Sequence, residues 1–186
     1  MRKKIVRIAS ICIIMLLCFS SVALGERRVL PVTGYEQEGI GWCWAASDKM
    51  IIKYTKGSAP SQQSLVNDYS TDPDGGANLS VARDALNDYG VSNSITYNCL
   101  SYTAVKSQIN YGDDGRPIFC RLQNGDGWLY SHAVVLRGYN TDNSLVYYID
   151  PSDGLGHGIT YSRFCAGVKY DGFYSDWDGT IYNNHD

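Results

Sequence analysis

Three side chains in the 186-residue sequence have the types and surroundings for nucleophilic chemistry: Cys43, His132 and Asp150. Cys43 lies in Gln37 to Tyr54, QEGIGWCWAASDKMIIKY, where the pattern turns helical after Trp42. Cys43, Ala46 and Met50 share one stripe, and Trp44, Ser47, Ile51 and Tyr54 its neighbour, the spacing of a helix buried on most sides. Gly34, Gly39 and Gly41 loosen the backbone before it. Cys43 therefore falls in a first turn, where unpaired N–H groups and the positive end of the helix dipole favour a thiolate. Taken alone, a single cysteine is more commonly a small apolar core residue. The rest of the chain decides between the two readings.

His132 begins HAVVLRGYN, a turn follows at Thr141 to Ser144, and LVYYIDPSDG ends a second extended run at Asp150. The simplest reading is an antiparallel hairpin. The start of one hairpin strand lies beside the end of the next, so His132 and Asp150 are expected to be neighbours. A carboxylate beside an imidazole fixes its tautomer and stabilises its charged form. If His132 also faces the start of the Cys43 helix, the parts make a Cys-His-Asp triad. The other two histidines read as plain surface residues, His157 in a glycine-rich turn and His185 next to last. His132 alone would read as structural, and Asp150-Pro151 alone as a turn signal.

The elements that must position these residues are legible in order. Lys56-Gly57-Ser58 ends the first helix, and Pro60-Ser61 opens a short one through Tyr69. Thr71 to Asn78 (TDPDGGAN) reads as a solvated connection; its acidity alone does not make a metal loop, because no fixed ligand pattern is met. Ser80 is expected to cap a helix with Val81, Ala85 and Leu86 inward and Gly90 as its stop. Ser94 to Cys99 alternates like a strand, Ser101 starts a helix with Val105 and Ile109 on one face, and Gly112 to Gly115 closes it. Pro117 to Leu122 reads as a strand and Asn124 to Gly127 as a turn. Fifteen tyrosines and four tryptophans are expected to supply much of the core.

Residues 1–25 read as a signal peptide, with Arg2, Lys3, Lys4 and Arg7 before a largely apolar run and Ala23-Leu24-Gly25 at the cleavage site. Ser20 and Ser21 break the run, which is short for a membrane span. Leu17 before Cys18 argues against a lipoprotein. Export with cleavage after Gly25 is the expectation, leaving one domain, 26–186, in a secreted, extracellular protein. Removing four of the 16 basic residues and none of the 19 acidic ones leaves 12 against 19, a net charge of −7. No basic cluster survives, which argues against nucleic acid or an anionic membrane as partner. Cys43, Cys99, Cys120 and Cys165 remain where thiols can oxidise. With Cys43 free, at most two of the other three can pair within the chain, and their pairing stays open. No two stand at zinc-site spacing, and neither a metal nor a cofactor is expected.

Gln37, five residues, then Cys43-Trp44-Ala45 resembles the active-site helix of papain-like cysteine peptidases. HAVVLRGY followed by YYIDPSDG resembles their His and Asn/Asp strands. Helix Ser101–Tyr111 with GRPIFCRL looks like the helix and strand before the catalytic His, and WDGTIYN like the last strand of staphopains. The similarity covers most of 26–186 and is greatest to small bacterial forms, the staphopains and the peptidase domains of bacteriocin-processing exporters.

The resemblance implies an α+β fold: a helical half bearing Cys43 against a twisted antiparallel sheet bearing His132 and Asp150, with the cleft between. It implies Cys43 as nucleophile, His132 as general base and acid, Asp150 as its orienter, and Gln37 with the Cys43 N–H as oxyanion hole. The expected reaction is hydrolysis of a protein or peptide through a thioester, by a monomer. Asp stands where papain has Asn, as in the exporter-linked enzymes. Only Glu26 to Glu36 precedes Gln37, so no zymogen is expected, and control falls to oxidation of Cys43 or a separate protein inhibitor. Two rivals are a transglutaminase-like acyl transferase, similar in its Cys-His-Asp order, and a secreted binding or toxin-associated module on the same scaffold. Gln37 ahead of the cysteine favours the peptidase over the first, and the intact set of four over the second.

Overall fold

A computed structural model describes residues 25–72, 74–124, 131–170 and 173–186. The expected signal segment through Leu24 and most of the turn expected at Asn124 to Gly127 lie outside the described residues. The chain folds as α+β, a helical N-terminal region packed on a multi-stranded antiparallel sheet. The helices are α1 (Cys43–Lys56), α2 (Gln62–Tyr69), α3 (Leu79–Asp88), α4 (Tyr102–Ile109) and α5 (Tyr161–Ala166). The strands are β1 (Arg27–Val29), β2 (Ser92–Thr96), β3 (Ile118–Asn124), β4 (Ser131–Asn140), β5 (Leu145–Asp150), β6 (Leu155–Thr160), β7 (Val168–Tyr170) and β8 (Phe173–His185). The sheet order is β2-β8-β3-β4-β5-β6, with β1 on β4 and β7 on β8.

Helix α1 behaves as its spacing demands. Residues 43–48 and 50–52 are buried, and the helix packs against β4, α2 and α3. It stops at Gly57, whose φ of 77° is a left-handed cap that glycine adopts without strain. Lys53 and Lys56 in the last turn complement the negative end of the dipole. The burial is too complete for every residue the sequence placed there. Asp48 is fully buried with neither carboxylate oxygen hydrogen-bonded, and burial pushes its carboxyl well above the usual carboxylate range.

Strand β4 is the sheet's spine. His132 to Leu136 are five consecutive buried residues, so the sheet is covered on both faces there. β3 flanks the first part of β4, from Ser131 to Leu136, and β1 the last, from Gly138 to Asn140. The core is chiefly aliphatic, joined by Trp44, Phe119, Tyr139, Tyr148, Phe164 and Trp177. Most tyrosines lie at its margin and Tyr97 and Tyr111 are exposed, which corrects the expected aromatic core. A phenol needs a partner for its hydroxyl, and the surface supplies one more easily.

Three local boundaries differ from the sequence reading. Helix α3 is capped by Asn78, whose side chain accepts from the Ser80 and Val81 N–H groups, rather than by Ser80. Strand β2 ends at Thr96, which leaves Cys99 exposed in the connection to α4. His157 lies in β6 rather than a turn, paired with Asp153 at 2.9 Å and beside the Tyr148 ring.

Candidate active site

The hairpin brings His132 and Asp150 together. Val135 pairs with Ile149 across β4 and β5. Asp150 therefore falls opposite Val134, diagonal to His132 on the same face, a separation long side chains bridge. His132 Nε2 and Asp150 Oδ1 are 2.7 Å apart. The Ser152 N–H donates to that carboxylate oxygen at 2.9 Å, and the Asp153 and Gly154 N–H groups donate to the Asp150 carbonyl. The turn begun by Pro151 thus clamps the aspartate at both ends.

Cys43 occupies the first turn of α1, whose N-cap position, Trp42, makes no side-chain capping bond. The unpaired N–H groups of that turn are left for another acceptor. Cys43 is 9% exposed and His132 3% exposed, and both line a cleft of about 520 Å³. The Cys43 thiol lies near enough to the His132 ring to raise its proton affinity.

Burial disfavours the charged imidazole, but the bond to Asp150 and the nearby Cys43 outweigh it and hold His132 at about 9. Burial also raises Asp150. The bond and charge of His132 and the Ser152 N–H more than offset that and leave its carboxyl below its ordinary value. The two shifts have one meaning, an imidazolium facing a carboxylate across neutral pH.

A seam joins the helical half to the hairpin. The Gln37 N–H donates to the Pro151 carbonyl at 2.8 Å. Gly34 passes so close to the turn after Asp150 that an added Cβ would stand 2.1 Å from the Gly154 carbonyl oxygen. No side chain fits there. The segment leading into Cys43 is thereby tied to the turn holding Asp150.

Gln62, buried at the first position of α2, grips the same segment from the other side. It accepts from the Glu38 N–H at 3.0 Å and donates to the Glu36 carbonyl at 2.7 Å. Nothing in the sequence singled out Gln62. A glutamine just inside a helix is ordinarily solvated, and only its long-range partners reveal the clamp.

Gln37 itself is half-buried. Its amide donates to the Gly39 carbonyl at 3.0 Å, and its Oε1 is buried without a partner. It is not among the residues lining the cleft, so its side chain is held behind the loop that enters α1.

The loop at Thr71 to Asn78 is largely exposed, as expected of a solvated connection, but it also has a place at the site. Thr71, Asp72, Asp74, Gly76, Ala77 and Asn78 line the cleft beside Cys43. The Trp44 indole N–H, buried one residue after the cysteine, anchors the loop through the Gly75 carbonyl at 2.8 Å. Across the cleft stand Phe119 and Arg121, the latter in a two-point pair with Asp178 at 2.9 Å for both contacts. Among the described residues no cluster of His, Cys, Asp or Glu is arranged to hold a metal ion.

The arrangement is one that comparison with known proteins places. Residues 29–178 match the Peptidase_C39 like family, and the chain belongs to it. Among solved structures it is similar to the peptidase domain of Streptococcus ComA, a bifunctional ABC transporter involved in a quorum-sensing pathway. That match has a TM-score of 0.59 and 16% identity, and covers 83% of this chain and 99% of that one. A double glycine motif protease from an AMS/PCAT transporter, solved with the leader peptide, aligns with a TM-score of 0.56 at 19% identity, covering 87% and 93%. Xylellain, a cysteine protease from Xylella fastidiosa, aligns with a TM-score of 0.57 at 13% identity, covering 84% and 85%. No curated protein matches the chain. At these identities the solved structures speak for the papain-like fold, and the family membership for a protease-like function.

Proposed function

We propose that the protein is an exported cysteine peptidase that cleaves peptide bonds through Cys43, His132 and Asp150. The observation that carries this reading is the His132–Asp150 bond at 2.7 Å, with His132 and Cys43 lining one cleft. The Cys43 sulfur, its proton held by His132, attacks the scissile carbonyl carbon. Negative charge moves to the carbonyl oxygen, where the Cys43 backbone N–H receives it; the Gln37 amide would join it only on turning from the Gly39 carbonyl into the cleft. The C–N bond breaks as the imidazolium gives its proton to the leaving amine, and a thioester remains on Cys43. Water, deprotonated by His132, then attacks the thioester and releases the acid and the thiol. Asp150 stays ionised and keeps the ring turned toward the sulfur.

An extended peptide is the substrate this cleft suits, and a leader peptide bound to the transporter protease of the same fold supports that class. Export rests on the N-terminal segment, with cleavage after Gly25, and the same segment places the mature protein outside the cell.

The deciding experiment measures iodoacetamide alkylation of Cys43 against pH, followed by a peptide-library screen. Rapid labelling that persists at mildly acidic pH, is absent in Cys43→Ala and falls to ordinary thiol behaviour in His132→Ala is the expected result. Labelling that rises only near the free-thiol value of about 8.5 would remove the activated nucleophile and with it the peptidase. Incorporation of an added amine into the acyl product, faster than hydrolysis, would favour the acyl transferase.

A further inference from the structure

Three cysteines stand outside the cleft, and they are not equivalent. Cys120, in the middle of β3, is fully buried and paired in the sheet between Val134 of β4 and Thr180 of β8. Cys99 is exposed in the connection between β2 and α4, and Cys165 is half-buried in α5. Although 66 positions separate Cys99 from Cys165, the fold brings the Cys99 loop against the Cys165 helix, near enough for Cys99 to raise the proton affinity of Cys165.

The backbone on either side of Cys99 is pinned. The Thr180 hydroxyl donates to the Asn98 carbonyl at 2.7 Å, and the Tyr161 hydroxyl donates to the Leu100 carbonyl at 2.9 Å. Tyr161 stands one helical turn before Cys165, on the same face of the helix, and near enough to lower the proton affinity of that thiol. One tyrosine therefore fixes both the loop bearing one sulfur and the helix bearing the other. Phe164, packed between Tyr148 and Trp177, fixes the helix in turn.

We propose that Cys99 and Cys165 form a disulfide, leaving Cys43 and Cys120 as thiols. The oxidant is a small disulfide such as oxidised glutathione, or an enzyme dithiol–disulfide acting in its place. The exposed Cys99 thiolate attacks one sulfur of the oxidant, forming a mixed disulfide and expelling one thiolate. Cys165, on the neighbouring helix, gives up its proton and attacks the Cys99 sulfur, expelling the second thiolate. Two protein thiols lose two electrons and two protons, and the oxidant disulfide becomes two thiols. Cys99 is exposed and Cys165 half-buried, so Cys99 meets the oxidant first. Cys120 is shut away from any oxidant by the sheet.

The inference goes beyond the peptidase reading and needs only these two thiols and an oxidant. It assigns the pairing that the cysteine count leaves open. The link would tie the β2–α4 connection to α5 and keep two surface thiols from exchanging with Cys43.

The test is peptide mapping after equilibration of the reduced protein with excess oxidised glutathione. Remaining thiols are blocked with N-ethylmaleimide, and the protein is digested with trypsin without reduction. The expected species joins residues 84–106 to residues 164–169, with Cys43 and Cys120 blocked. Full alkylation of both Cys99 and Cys165, or a link from either to Cys43 or Cys120, would overturn the proposal.

A second measurement compares melting with and without reductant. Closing a loop of this length should raise the midpoint by on the order of 10 °C, and Cys99→Ser and Cys165→Ser should remove the reductant dependence. A wild-type midpoint indifferent to reductant would also count against the link. Peptide hydrolysis followed in the same samples separates the two readings. Loss of turnover with the link formed bears on the peptidase alone.

Discussion

The cleft and the patch beneath α5 both bring a sulfur near hydrogen-bonding partners, and the partners make the two places chemically opposite. Cys43 meets an imidazole that Asp150 holds charged, at the start of a helix with unpaired N–H groups. Cys165 lies near a phenol and another thiol, and burial pushes its proton affinity up. The first sulfur stands near a cation, and the second is a thiol whose ionisation burial opposes. The first suits attack on a carbonyl, whereas the second suits a bond to the neighbouring sulfur.

The sharpest break of that contrast exchanges each sulfur for oxygen. Cys43→Ser should lower kcat/KM for peptide hydrolysis by roughly four orders of magnitude or more, while Cys165→Ser should leave it within a factor of about two, a flat baseline flanked by reductant-independent melting. Equal losses in both variants would dissolve the distinction.

Asp150→Asn acts on the cation rather than the sulfur and is expected to cost roughly 10²–10⁴ in kcat. It also moves the pH profile. In the wild type the alkaline limb of kcat/KM should lie near the His132 value of about 9. In the variant it should fall toward the ordinary imidazole value of about 6.5. Stability follows the same group. The folded His132 holds its proton more tightly than the unfolded chain, so its contribution is complete below about 6.5 and is lost as pH rises through about 9. Denaturant midpoints measured across that window should decline in the wild type and stay flatter in Asp150→Asn.

Gln62→Ala leaves the Glu38 N–H and the Glu36 carbonyl without their partners. A loss of about 1–3 kcal/mol is expected from urea unfolding. A lower kcat should accompany it, because the same segment carries Gln37 and leads into Cys43. A stability loss with kcat unchanged would show that the clamp serves the fold alone.

The smallest effect belongs to Tyr161→Phe, which removes the hydroxyl that holds Leu100 beside the Cys165 helix. About 1 kcal/mol of stability and a severalfold slower closure of the Cys99–Cys165 link are expected, with hydrolysis unaffected. Link formation at an undiminished rate would mean that the loop needs no such anchor.

How much of this the sequence carried depends on the range of the interaction involved. Helix α1 was legible from its buried stripes and from Gly57, and the hairpin from its polar turn and Pro151, because such signals act over a few residues. The nearness of His132 and Asp150 followed, since hairpin geometry leaves few alternatives once the turn is placed. The spacing of Gln37 and Cys43 and the order of the strands pointed to the family by resemblance, and with it to the fold. Helix α3 shows the limit even locally. Asn78 and Ser80 are both good caps, and Asn78 takes the role by accepting two N–H groups.

Only the tertiary structure decided what lies across the chain from what. Thr71 to Asn78 reads as a loop from its glycines and aspartates, but the bond from Trp44 to Gly75 turns it into a cleft wall. Gln62 became a clamp and Asp48 an unpaired buried acid through neighbours distant in sequence. Cys99 and Cys165 are brought to neighbouring elements in space although 66 residues apart in the chain. Residue type and periodicity specify elements, because those depend on backbone sterics and short-range burial. Contacts between elements depend on how whole faces pack, and no local pattern encodes that.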